Sequence, residues 1–81
     1  MKKVTIYIKP ACPFCKKALV VLKRLGVEPR IIDLTAQPTL KQEMVTITGR
    51  TSVPQIFFGN EHIGGCDDLL RLKNIEEKLN E

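Results

Sequence analysis

The 81-residue sequence contains no tryptophan, one tyrosine, three phenylalanines and one histidine. So few aromatic side chains offer no stacking platform for nucleic acid, and the basic residues are scattered, with no long run. No segment approaches the ~20 apolar residues that span a bilayer. The apolar run near the amino terminus is too short for a signal peptide and lacks a small-residue cleavage site. The expected location is therefore a reducing cytoplasm, with no membrane partner. Repeats, low-complexity tracts and linkers are missing as well. Residues 1–81 are expected to form one small domain, burying only about 60–65% of the surface its unfolded chain exposes. Thirteen lysines and arginines against nine aspartates and glutamates give a formal net charge of +4. With nucleic acid set aside, that surplus suits a small anionic thiol or an acidic partner.

Cysteine is where the chain concentrates its chemistry. Two of its three cysteines stand in Lys9-Pro10-Ala11-Cys12-Pro13-Phe14-Cys15-Lys16, two residues apart. Just before them, Lys3 to Ile8 reads as a strand that is apolar on both faces and therefore central. Just after them, Pro13 suits the first position of a helix, where its missing N–H costs nothing. Ala18, Leu19, Leu22 and Leu25 recur at helical spacing, Lys23 and Arg24 favour the last turn, and Gly26 is the stop. Glu28 to Leu34 reads as a second strand centred on Ile31-Ile32, and the short return implies a right-handed, parallel βαβ unit.

Further on, Leu40, Met44 and Ile47 share one helical face, with Pro38 or Thr39 as its start and Gly49 as its stop. Gln55-Ile56-Phe57-Phe58 and Glu61-His62-Ile63 flank Gly59-Asn60 as a hairpin, which Gly64-Gly65 ends. Asp67 and Asp68 suit a helix start. Leu69, Leu70, Leu72, Ile75 and Leu79 supply the apolar face of one or two final helices. The expected class is α/β: one mixed sheet in the order β-α-β-α-β-β-α, with helices on both faces. Phe57, Phe58 and Met44 are read as packing, and His62 as a surface strand residue.

A thiolate, not a thiol, attacks a disulfide. At a helix start, the Cys12 sulfur faces unpaired N–H groups and the positive end of the helix dipole, with Lys9 and Lys16 adding charge. Cys15, one turn further in, is less exposed. Cys12 is therefore expected to be the nucleophile and Cys15 the resolving thiol. A four-cysteine zinc site needs a second CxxC, which is absent; only His62 and Cys66 remain as further soft or imidazole ligands. No metal site is expected.

Three separated motifs carry a family resemblance. Cys12-Pro13-Phe14-Cys15 is close to CPYC, Thr51-Ser52-Val53-Pro54 to TVP, and Gly64-Gly65-Cys66-Asp67-Asp68 matches GG-x-D-D. In this order and spacing the chain resembles the glutaredoxins, above all their short bacterial members. The resemblance implies a four-stranded thioredoxin fold and a thiol–disulfide oxidoreductase with glutathione as co-substrate and no tightly bound cofactor. It also implies the binding residues. Pro54 matches a cis-proline that leaves the Val53 backbone free to pair with the cysteinyl part of glutathione, and Ser52 keeps the hydroxyl of the usual threonine. Gly64 and Gly65 allow close backbone approach. Cys66 and Asp67 match the positions that receive the γ-glutamyl end, and either Asp67 or Asp68 can also cap the helix. Lys9 matches a basic residue that attracts the glycine carboxylate, with Arg50 a weaker candidate for the same task.

Two departures stand out. Phe14 replaces the usual tyrosine, so its ring can line the groove but the hydroxyl is lost. Cys66 is an additional thiol, read as inert packing or as a thiol open to glutathionylation. The expected partners are glutathione and glutathionylated or disulfide-containing proteins, ribonucleotide reductase among the candidates, acting on a monomer. Two other readings stay open. One is a dimeric iron–sulfur carrier holding its cluster through Cys12 and glutathione, against which Pro13, Phe14 and Cys15 count, because such relatives mostly carry CGFS. The other is a glutathione-independent electron donor to ribonucleotide reductase, against which Lys9, Val53 and Gly65-Cys66-Asp67 count.

Overall fold

Alternation along a five-residue strand sets the two faces of the molecule. In β1 (Val4–Ile8), Val4 and Ile6 point to one side of the sheet and Tyr7 to the other, and all three are buried. The structure, a computed structural model describing residues 1–81, places β1 beside β2 (Arg30–Asp33) and β3 (Gln55–Phe58), with β4 (Glu61–Gly64) outside β3. The strand order is β2-β1-β3-β4. β1 runs parallel to β2, with Ile6 opposite Ile31, and antiparallel to β3, with Ile6 opposite Ile56. The parallel pair follows from the crossover through α1 (Pro13–Arg24), and the antiparallel β3–β4 pair from the Gly59-Asn60 turn.

Two apolar clusters hold the layers together. On one face Val4, Ile6, Ile56 and Phe58 meet Ala18 and Leu22 of α1, Leu69 of α3 (Cys66–Arg71) and Leu79 of α4 (Ile75–Asn80). On the other, Tyr7, Ile32 and Leu34 meet Met44 of α2 (Leu40–Thr48), with Phe57 packed against them. Each fully buried side chain of this kind contributes about 1.5–3 kcal/mol. The ten-residue cluster on the α1 side is therefore the main source of cohesion.

The expected order holds, with small corrections. β2 is shorter than Glu28 to Leu34, and the final helical segment is two helices because Leu72 is extended (φ −65°, ψ 125°). Ile47 and Leu70 were expected on apolar helix faces but are half exposed. Ile47 rims an open cleft that α2 leaves against the sheet beside Tyr7 and Arg30. Leu70 loses the inward position to Leu69, since adjacent helical residues point about 100° apart. Ile31 is half exposed on the edge strand.

Candidate active site

The turn between β1 and α1 brings the cysteine pair to the sheet's carboxyl-terminal rim. Cys12 is the residue before the helix, with extended backbone (φ −100°, ψ 112°), and Pro13 is the first helical residue. This geometry turns the Cys12 sulfur back over the first turn, where the Cys15 N–H donates to it at 3.2 Å. The Cys12 thiol in turn lies 3.7 Å from the Val53 carbonyl, which accepts its hydrogen. Cys12 is partly exposed, whereas Cys15 is only 1% exposed. Burial, and then contact with the Cys12 sulfur, push the Cys15 thiol up to about 12. One turn of helix thus separates an accessible sulfur from one held as a thiol.

On the Val53 side of Cys12 a groove of about 290 Å³ runs between two segments. One wall is Ser52, Val53 and Pro54, with a cis Val53–Pro54 peptide. No hydrogen bond within the chain uses the Val53 N–H. The other wall is Gly65, Cys66 and Asp67, and the Phe14 ring, 58% exposed, stands at the edge. All of these are residues singled out from the sequence.

Cys12 and Lys9 are not among the lining residues; Lys9 is exposed, and the basic side chain that lines the groove is Arg50. Arg50 Nη1 lies 3.0 Å from Asp68 Oδ2, and the same oxygen accepts from the Gly65 N–H at 2.9 Å. The Gly65 N–H and then the Arg50 guanidinium hold the Asp68 carboxyl below the usual carboxylate range. Asp68, not Asp67, closes the start of α3. Gly64, at φ 119°, passes so close to the Asp68 carboxylate that any β-carbon there would collide with it. Cys66 is 4% exposed and belongs to the apolar cluster, and burial pushes its thiol up.

Gln55 was not singled out from the sequence, yet it lines the groove with only 1% exposure. A glutamine at the head of a strand carries no motif, so only its burial reveals it. His62, expected on the surface, is half-buried instead. Its ring stacks on Phe57 at 5.0 Å and its Nε2 lies 2.7 Å from Gln55 Oε1. Burial, and then the Arg50 charge, lower its affinity for a proton, while Asp68 opposes them.

The family model described as Glutaredoxin matches residues 4–63. The chain is 43% identical over 72 residues to Glutaredoxin 3 of Escherichia coli strain K12, covering 89% of this chain and 87% of that protein. It is 42% identical over 73 residues to a glutaredoxin of Pseudomonas aeruginosa, covering 90% and 87% of the two chains. Among solved structures, the solution structure of glutaredoxin from Brucella melitensis superposes with a TM-score of 0.83 at 42% identity, covering 100% of this chain and 94% of the other. The buckwheat glutaredoxin–glutathione complex superposes at 0.81 with 27% identity, covering 98% and 74%. The mixed four-stranded sheet is thus a thioredoxin fold of thiol–disulfide oxidoreductase type. Matched in sequence over most of its length and in fold over all of it, this chain belongs to the glutaredoxin family.

Proposed function

We propose that residues 1–81 form one glutaredoxin domain that reduces protein–glutathione mixed disulfides and protein disulfides with glutathione as reductant. The observation that carries this reading is the setting of Cys12, a partly exposed sulfur that receives the Cys15 N–H at 3.2 Å and lies against the carbonyl of Val53, a wall of the polar groove. An N–H directed at the sulfur at a helix start favours a developing thiolate. The Cys12 thiolate attacks the glutathionyl sulfur of a mixed disulfide; the substrate's thiolate leaves and takes a proton. A second glutathione thiolate then attacks the sulfur of the glutathione held on Cys12. It leaves as glutathione disulfide and returns Cys12 to its thiolate. With a protein disulfide, Cys12 forms the mixed disulfide and Cys15 displaces the substrate, closing a Cys12–Cys15 disulfide that two glutathiones reopen. Buried and held as a thiol, Cys15 suits the second role and not the first.

In the groove, the free Val53 N–H and its carbonyl pair with the cysteinyl part of glutathione, as a strand would. Gly65, Cys66 and Asp67 take the γ-glutamyl end, while Phe14 forms the outer edge and Ser52 and Pro54 carry the loop. Lys9 attracts the glycine carboxylate, and Arg50 on the wall is a second basic candidate for the same task. The similarity to the buckwheat glutaredoxin–glutathione complex supports this occupant. The test is turnover of a glutathionylated peptide by the wild type and Cys15→Ser. Full or increased activity is expected in the variant and none in Cys12→Ser. Inactivity of the wild type with glutathione, but activity with thioredoxin reductase, would overturn the reading in favour of a glutathione-independent donor.

A further inference from the structure

We propose that Gln55 is a positioning residue whose buried carboxamide ties the Val53 loop to strand β4, setting the backbone against which glutathione pairs. The proposal rests on the reading of the groove as a glutathione site. Gln55 and Phe57 alternate onto one face of β3, and His62 lies opposite Phe57 on β4. The ladder slips between Ile56 and Phe57, so the residues of β4 beyond His62 do not keep simple register with Gln55. The Gln55 side chain therefore reaches His62 diagonally.

The polarity of the tie is fixed by its partners. Gln55 Nε2 donates to the Ser52 carbonyl at 3.0 Å, and a carbonyl can only accept. That orientation turns Gln55 Oε1 to His62, 2.7 Å away, so His62 must present Nε2–H as the donor. The ring is held for this by its stack on Phe57. Ser52 immediately precedes Val53, whose carbonyl accepts from Cys12. His62 lies on the strand that leads into Gly64 and Gly65. One side chain therefore links both walls of the groove. At 1% exposure it has no water to replace either bond, so losing one leaves a buried polar group unmatched. The Arg50–Asp68 pair spans the same two segments, but from the exposed side.

The decisive experiment is steady-state turnover at varied glutathionylated peptide and saturating glutathione, beside glutathione-free reduction of an aromatic disulfide by the pre-reduced protein. Gln55→Met keeps the shape and removes the bonds to Ser52 and to His62. It is expected to raise KM for the glutathionylated peptide about tenfold, with kcat and the glutathione-free rate within about twofold of wild type. His62→Phe keeps the stack and removes one bond, with an expected KM rise of about threefold. His62→Gln restores a donor at the same position and is expected to restore KM. An unchanged KM in a folded Gln55→Met protein would overturn the tie, as would equal loss of the glutathione-free rate. Should Gln55→Met fail to fold, the histidine pair decides: equal KM in His62→Phe and His62→Gln would overturn it. A wild type inactive with glutathione would instead remove the reading beneath it, and the tie with it.

Discussion

Cys12 meets its nearest partner within one helical turn, the Cys15 N–H three residues on, whereas Asp68 meets Arg50 across eighteen residues of chain. The helix side of the Cys12 sulfur is thus built locally, and the Val53 carbonyl is its distant contact. A strand, a proline at the first helical position and a helix suffice to aim one sulfur outward and bury the other. The opposite end is assembled from a loop, a hairpin strand and a six-residue helix, joined by the β3–β4 ladder, side chains and one glycine. Local construction fixes which sulfur is accessible. The non-local end determines what can lie alongside it.

The largest expected effect sharpens the first half of that contrast. In the reduced, folded protein at about pH 8, iodoacetamide should modify Cys12 at least ~100-fold faster than Cys15 or Cys66. Cys15 is 1% exposed, Cys66 is 4% exposed, and burial pushes both thiols up. Peptide mapping after a short exposure reads the ratio directly. Comparable labelling of Cys15 and Cys12 would mean that one helical turn does not separate the roles.

Next in size is a pair of glycine substitutions at the other end. Gly64→Ala forces a side chain onto φ 119° and into the Asp68 carboxylate, which must then release the Gly65 N–H. Strain and loss of the cap together should cost about 2–4 kcal/mol in a denaturant titration. At neighbouring Gly65 a β-carbon meets the Pro54 carbonyl at an ordinary 3.5 Å. Gly65→Ala should therefore cost less than about 1 kcal/mol, while narrowing the groove and raising KM for a glutathionylated peptide. Equal stability losses would break the distinction between a glycine the fold needs and one the ligand needs.

The same contrast explains what could be read from the sequence. The cysteine turn was legible because strand, proline and helix each announce themselves within a few residues, and the Gly59-Asn60 hairpin for the same reason. The separation of α3 from α4 was left open, because the spacing of Leu69, Leu72, Ile75 and Leu79 continues across the extended Leu72. Ile47 and Leu70 carry the right periodicity, but whether a periodic residue finds a neighbour depends on where the helix ends over the sheet. Gln55 with His62, and Arg50 with Asp68, were invisible as pairs, since no local pattern marks a contact made by the folding of distant segments. Nor did any local pattern mark Arg50 as the basic side chain on the groove wall.

The smallest expected effect concerns the exposed tie. Arg50→Ala removes an ion pair whose side chains are 47% and 34% exposed, so solvent screening limits the stability loss to about 1 kcal/mol or less. Its pH dependence has a definite sign. Asp68 is held below its ordinary value of 3.8 by the Gly65 N–H and then by Arg50, so its contribution is present above that pH. The contribution is lost as the pH falls through the lowered folded value. The gap between wild type and Arg50→Ala should therefore be constant near neutrality and close in acid, and it should also shrink in high salt. Thermal melts across that range measure it. A gap that persists once Asp68 is protonated would mean that Arg50 stabilises the loop by packing rather than by charge, and that the buried Gln55 amide is the only polar tie of consequence between the two walls.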